Sequence, residues 1–455
     1  MSAPKAACAA ALLGLYSSVA LAEQVIIVSM TDDRFDPACT SNCSLREAIH
    51  RANQTPGATR IVLRAGTYTL TLSDPLWNQE EDPDPDEDDC VRGDLDIRGE
   101  LAIIGAGQGE TRIQSTGVPL TGERLLHVGE GASLSLRRLT LQSGLSDTYG
   151  GALRNHGRTL VQWVSFVGNR ADAGIRGHGG AIANYGDLTV SHALFENNNS
   201  RGDEGFPGRG GAIFNLGNLV VRDTTFRGNS ATDQDTDFAQ GGAVYNEGTA
   251  TITRSTFVGN AAGLPDSQGG GAAIANLGAG VLTLSNSTVS GNSGTEINGV
   301  LSNGISREWG EPDIDARMRL LNVTIAGNDG LALSNTGRVE IINSLIAGNH
   351  LAGMPANCLN AGTYRARGLL LGTDQGNCSS DVPVDDALTW SKVLLPLADN
   401  TGSTWTHALR RGSPALDAAI GSCASYDQRG VSRPQDGDGD GAAVCDLGAY
   451  ERLRP

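Results

Sequence analysis

The sequence predicts an all-β fold, a right-handed parallel β-helix, and three observations carry that prediction. A hexapeptide recurs as Gly179-Gly-Ala-Ile-Ala-Asn184, Gly210-Gly-Ala-Ile-Phe-Asn215, Gly241-Gly-Ala-Val-Tyr-Asn246 and Gly271-Ala-Ala-Ile-Ala-Asn276. Asn155, Asn184, Asn215, Asn246 and Asn276 stand 29, 31, 31 and 30 residues apart, and a second column, Asn169, Asn198, Asn229, Asn260 and Asn292, keeps step at 29, 31, 31 and 32. Phe166, Phe195, Phe226 and Phe257 share a third register that Val289, Ile325 and Ile346 continue. Registers that repeat together mean stacked units, and like residues in one register mean one continuous core.

Each unit reads as short strands and corners. Leu188-Thr-Val-Ser-His-Ala-Leu-Phe195 alternates apolar and polar residues with the period of a half-buried strand, and Gly or Asn follows wherever the chain must turn with positive φ. Asparagines at the corners can bond turn backbone and each other, so both columns are expected to be structural ladders.

In chain order, Lys5 precedes an apolar run from Ala6 to Val19, and Ala20-Leu-Ala22 carries small residues where a signal peptidase reads, so cleavage before Glu23 is expected. No later segment is apolar enough to span a bilayer. Residues 23–125 are expected to form an N-terminal cap and first coils, 126–350 the regular array and 351–455 an irregular closing segment. Ser44-Leu-Arg-Glu47 is a capping box that opens a short amphipathic helix through Asn53, suited to plugging the open end of the stack.

The balance of 51 acidic against 34 basic residues, formally −17, argues against nucleic acid and against unaided binding of anionic membranes or polyuronates. Removing Cys8 with the leader leaves seven cysteines, an odd number for an oxidising compartment. Closeness in sequence suggests Cys358 with Cys378 and Cys423 with Cys445. One of Cys39, Cys43 and Cys90 is left over, and the spacing does not choose which.

Cys43-Ser-Leu-Arg-Glu-Ala-Ile49 with Ala52-Asn53 resembles the CSLREA motif of secreted bacterial β-helix proteins, and Gly93-Asp-Leu-Asp-Ile97 followed by Ile103-Ile-Gly-Ala-Gly107 continues that pattern. Ser413-Pro-Ala-Leu-Asp417, Asp427-Gln-Arg-Gly430, Arg433-Pro434 and Cys445-Asp-Leu-Gly-Ala-Tyr-Glu451 resemble the choice-of-anchor Q domain. The repeats resemble the GGAI and FxxN motifs of polymorphic outer-membrane proteins, which display adhesive β-helices. These resemblances imply an exported β-helical shell and leave its activity open.

Insertions at 170–178, 199–209, 230–240 and 261–268 leave the same corner of successive coils and should pile up on one flank, a usual place for ligand contacts. Their candidate ligand-binding residues are Arg176, His178, Arg201, Asp203, Glu204, Arg209 and Asp235. Gly177-His178-Gly179 suggests a polygalacturonase motif, but His178 shares its repeat position with Arg209 and Gln240, and no carboxylate pair faces one bond as a glycosidase requires. A polysaccharide lyase needs a base beside charge-neutralising groups. For that chemistry the candidates are His178, Arg176 and Arg209, within a basic patch that also takes in His156, Arg158 and Arg201.

Asp436-Gly-Asp-Gly-Asp440 spaces carboxylates two apart around glycines, as loops that wrap calcium do, so Asp436, Asp438 and Asp440 are the candidate metal ligands, with Asp446 or Glu451 to complete the set. The acidic run from Asp82 to Asp89 reads as a solvated loop, and Asp233, Asp235 and Asp237 form a weaker third cluster. The expectation is a secreted, calcium-stabilised β-helix, adhesin-like and non-catalytic, that contacts polysaccharide or another cell-surface ligand through its stacked loops. A polysaccharide lyase and a structural matrix component are the alternatives.

Overall fold

The computed structural model describes residues 23–73, 90–116, 124–172, 177–202, 206–233, 238–263, 269–294, 298–304, 314–374 and 376–454. Nearly every strand pairs in parallel with its counterpart one coil later: Ile182–Asn184 lies on Ile213–Asn215, which lies on Val244–Asn246 and then Ile274–Asn276. Three parallel sheets result among the described residues, of twenty, ten and five strands.

A coil begins in the ten-stranded sheet, turns at a glycine, and crosses the twenty-stranded sheet in two pieces, such as Asp187–Ser191 and Leu194–Glu196. Between those pieces sits one residue in the left-handed region. Arg138, Trp163, His192, Asp223, Arg254, Asn286, Asn322 and Asn343 hold this corner in eight coils, with φ between 44° and 57°. The next residue feeds a hydroxyl ladder, in which the amides of Ala193, Thr224 and Ser255 donate to the side chains of Thr224, Ser255 and Ser287 at 3.4, 3.3 and 3.1 Å.

Both asparagine columns are buried hydrogen-bonded ladders. In the first, each Nδ2 donates to the Oδ1 of the next coil's asparagine at 2.6 to 2.8 Å from Asn155 through Asn184, Asn215, Asn246, Asn276, Asn303 and Asn335 to Asn360. In the second, Asn198 donates through Nδ2 to Asn229 Oδ1 at 2.9 Å and to the Phe166 carbonyl at 3.0 Å, and Asn229 and Asn260 repeat the pattern. Corner groups that a bent strand would strand in the interior are thereby satisfied. Phe166, Phe195, Phe226 and Phe257 stack between the ladders at centroid spacings of 4.6, 4.9 and 4.7 Å. The doubled glycine of each hexapeptide has a steric cause: Gly179 has φ +69°, and a Cβ on Gly180 would meet the Gly211 carbonyl at 2.2 Å.

At the N-terminal end, Ser44 caps a helix over Leu45–Gln54 with the reciprocal Glu47 contact. Arg46, fully buried, pairs with Asp33 at 2.8 Å and donates to the carbonyls of Arg92 and Gly93, so the plug is fastened to the first coils by charge-assisted hydrogen bonds. Disulfides join Cys39 to Cys43, Cys358 to Cys378 and Cys423 to Cys445. Among the described residues Cys90 is the free thiol, buried and held between the amide and carbonyl of Asp96. Burial pushes its pKa up, so it is neither nucleophilic nor placed to link chains.

The last segment does more than close the far end. After the final coil it runs back along the wall of the twenty-stranded sheet, where the Ala449 amide donates to Thr324 Oγ1, Gln428 bonds Thr288 and Thr256, and Trp405 meets Thr256. A buried charge cluster fastens it from within: Arg433 and Glu451, both fully buried, lie 3.0 Å apart, and Arg429 lies 2.8 Å from Asp427. No helix among the described residues is long and apolar enough to cross a membrane.

Candidate functional site

The outward register of the ten-stranded sheet runs Asp96, His127, Arg154, Ala183, Phe214 and Tyr245 in successive coils. Beside it runs a second column, Tyr149, His178, Arg209 and Gln240, joined by parallel bridges just before each strand. The described C-terminal ends of three insertions, His178, Arg209 and Gln240, are themselves members of this second column, beside an aromatic and cationic strip.

Contacts along the strip are close. His156 stacks on Tyr185 at 4.6 Å with rings 3° from parallel, and Tyr149 packs edge-on against Tyr185 at 6.0 Å. The Arg154 guanidinium lies 5.6 Å from the Tyr149 ring and 5.9 Å from that of Tyr185, within cation–π reach of both. Further along, His178 stacks on Phe214 at 4.6 Å, Phe214 on Tyr245 at 5.2 Å, and Arg209 sits 5.1 Å above Tyr245. Towards the N-terminal end the strip becomes polar and paired: Asp96 lies 3.2 Å from His127 Nδ1, and Asp94 lies 3.0 Å from Arg124, whose Nε donates to the Tyr149 carbonyl.

Burial shapes the chemistry of these groups. It raises the Tyr185 phenol further from ionisation, with Tyr149 adding to the shift, and lowers the Arg154 guanidinium from its usual value. It also raises the Asp147 carboxyl at the edge of the strip. Tyr149, Arg154, His156 and Tyr185 remain half-buried.

The structure sorts the sequence candidates. His178 and Arg209 belong to the strip, but His178 is buried between Tyr149 and Phe214 and takes the part of an aromatic spacer. Arg201 faces Asp172 at 3.6 Å, and Asp172 also pairs with Arg170. Arg158 is not part of the flank: it starts a strand of the twenty-stranded sheet, exposed and 3.8 Å from Asp187. The expected single basic patch is therefore divided between two faces, because the glycine turn after Asn155 separates His156 from Arg158. Arg176, Asp203, Glu204, Asp235 and Asp237 lie outside the described residues, as do the leader and the acidic run from Asp82 to Asp89. Asp94, Asp96, Arg124, His127, Tyr149, Arg154 and Tyr185 were missed by reasoning that followed insertions. The outward register beside the hexapeptide, written in Leu126-His-Val128 and Leu153-Arg-Asn155, was the signal that could have found them.

The C-terminal acidic loop also differs from expectation. Carboxylate oxygens of Asp436, Asp438 and Asp417 lie within 4.8 Å of one another, and Asp440 is outside that group. Asp440 Oδ1 instead accepts the Ala442 amide at 2.8 Å. Asp446 and Glu451 turn into the buried charge cluster, where Glu451 takes Arg433. Three carboxylates suit a hard cation in charge, but the loop's own amides occupy part of the set: Gly439 donates to Asp436 at 2.7 Å and Asp438 to Asp417 at 2.9 Å.

A family profile described as "Right handed beta helix region" matches residues 126–307. The fold is a right-handed parallel β-helix. Among solved structures, a Geobacillus virus E2 protein, ORF18, is similar at 11% identity, with 77% of this chain and 61% of that chain covered and a TM-score of 0.42. A PL6-family alginate lyase is similar at 12% identity, 95% and 60% coverage and a TM-score of 0.35. The carrot pectin methylesterase follows at 13% identity, 73% and 85% coverage and a TM-score of 0.29. The chain thus spans about three fifths of the length of the first two. No curated protein sequence matches it.

Proposed function

We propose that this β-helix is an exported protein that binds polysaccharide or another cell-surface ligand, without turnover, through the flank of the ten-stranded sheet. The observation that carries the reading is the half-buried row of Tyr149, Tyr185 and His156 with Arg154 laid across it. Flat ring faces suit the apolar faces of sugar rings, and fixed polar tips beside them suit hydroxyl or carboxylate groups. The sheet holds this row rigid, so little ordering entropy opposes binding. Export accords with the disulfides and with the resemblance to CSLREA and choice-of-anchor Q proteins. Calcium at Asp417, Asp436 and Asp438 belongs to the same reading, as a brace for the loop.

The competing polysaccharide lyase would need a base that loses its proton readily. Burial drives the Tyr185 phenol the opposite way, and Arg209 is placed over the Tyr245 ring. The test is incubation of the secreted chain with neutral and acidic polysaccharides, recording retention and the absorbance of unsaturated ends. Retention without absorbance on at least one polymer of the panel, lost in Tyr185→Ala, is expected. Growing absorbance would make the chain a lyase, and self-assembly with no retention would make it a matrix component.

A further inference from the structure

On another wall of the solenoid, the left-handed corner column meets the returning C-terminal segment, and a groove of about 340 Å³ opens between them. Gln108, Trp163, His192, Asp223, Arg227 and Trp405 line it. Trp163 is 52% exposed and Trp405 48% exposed, an unusual placement for the largest apolar side chain. The His192 ring stacks on Trp163 at 4.3 Å, covering one face of the indole and fixing its orientation.

The corner register shows that Trp163 is there at a cost. In later coils the same left-handed position is filled by Asn286, Asn322 and Asn343, residues that tolerate positive φ through local hydrogen bonding. Histidine, like asparagine, is among the types found at positive φ, but Trp163 at φ 57° holds a conformation that bulky side chains rarely take, an outlier that directs attention to this corner.

Trp405 is held from behind. Its carbonyl accepts from Thr256 Oγ1 at 2.7 Å and from Gln428 Nε2 at 3.0 Å, and Thr404 Oγ1 donates to the Arg254 carbonyl at 3.1 Å. Gln428 is itself buried and anchored to Thr288 at 2.7 Å. The segment carrying the second indole is thus set against the first by a satisfied buried network.

The charges here cancel. Arg254 clasps Asp223 through two hydrogen bonds of 2.8 and 2.6 Å, and Arg227 pairs with Glu196 at 2.6 Å. Two half-exposed indoles, no uncompensated ion, and amide and carboxylate groups at the rim fit a hydroxyl-rich, uncharged ring better than a polyanion or an apolar peptide.

We infer that this groove is a second binding site, for an uncharged polysaccharide whose pyranose faces lie on Trp163 and Trp405. It extends glycan binding to a face remote from the ten-stranded sheet and rests on different residues. The register supplies the decisive variant. Trp163→Asn installs the side chain that later coils use at this corner, so it removes the indole while keeping or slightly raising the melting temperature.

The experiment is affinity electrophoresis of the full secreted chain in gels containing galactomannan, xylan or laminarin, with polygalacturonate as the anionic control. Retardation by at least one neutral polymer, weakened at least tenfold in both Trp163→Asn and Trp405→Ala and unchanged in Tyr185→Ala, is expected. Retardation lost in Tyr185→Ala but kept in both tryptophan variants overturns the inference and leaves the flank reading standing. Loss in the tryptophan variants alone assigns that polymer to the groove and leaves the flank to be judged on polymers whose retention Tyr185→Ala abolishes. Absence of retardation by every neutral polymer also overturns it, as does retardation by polygalacturonate alone. If Trp163→Asn proves to melt lower than the wild type, Trp405→Ala decides alone.

Discussion

His407 Nε2 lies 2.9 Å from Ser290 Oγ, while its Nδ1 lies 2.8 Å from the Leu395 carbonyl, so one buried imidazole ties the returning segment to the solenoid wall. The carbonyl can only accept, which places the proton of the neutral ring on Nδ1 and leaves Nε2 to accept from the serine hydroxyl. Burial lowers the pKa of this ring to about 4, well below the ordinary value near 6.5. The stability this contributes is complete above about pH 6.5 and is lost as pH falls towards 4, because the unfolded chain takes up the proton first. The difference is roughly 3 kcal/mol at most. Melting curves between pH 7.5 and 4.5 should show wild type losing stability more steeply than His407→Gln; parallel curves would mean that the ring is not neutral in the fold.

Asn229→Ala should be among the most damaging single changes in the regular array. Asn229 Nδ2 serves Asn260 and the Phe195 carbonyl, and its Oδ1 receives both the amide and the Nδ2 of Asn198. Truncation leaves several buried groups unpaired at about 1–3 kcal/mol each, so a loss of roughly 3–5 kcal/mol is expected from urea unfolding. A loss below about 1 kcal/mol would show that water replaces the amide.

Arg433 and Glu451 form a fully buried ion pair beneath the C-terminal segment. Arg433→Met abandons a buried carboxylate and should cost about 3–5 kcal/mol, whereas Arg433→Met combined with Glu451→Leu should recover much of it. Chemical denaturation of both variants checks the relation; equal stability of the single and double variants would contradict it.

If the acidic loop holds calcium, chelation lowers the melting temperature of the wild type and of Asp440→Asn alike, and leaves that of Asp417→Asn unaffected. The contrast follows from the carboxylates that converge, Asp417 with Asp436 and Asp438. Thermal scans with and without chelator check it, and insensitivity of the wild type would refute the cation.

Much of the shell was legible because repetition makes one physical cause visible many times. A corner that needs an asparagine in one coil needs it in the next, so Asn184 and Asn215 announce each other. The capping box at Ser44 and Glu47 was legible because its two hydrogen bonds lie within a single turn. The choice among Cys39, Cys43 and Cys90 was not, since it depends on Cys90 being enclosed between the helix and Asp96. Asp417 was missed as a partner of Asp436 because the two meet only after the chain has doubled back. The same is true of Trp405 and Trp163, whose juxtaposition is made by the return path and is written in no local pattern.

The second asparagine column has a direction. Every amide from Asn169 to Asn349 gives its N–H to the following coil, so their dipoles add head to tail and the positive pole falls at the C-terminal end of the stack. Asn357 passes the last N–H to Asp386, a buried carboxylate that also receives the Gly348 amide at 2.7 Å. A negative charge there answers the accumulated polarity of the row, as an acid does at the start of an α-helix. The column is in effect a one-dimensional polar crystal with a counter-ion grown onto its last face, which gives the array an intrinsic terminus and a reason to stop where it does.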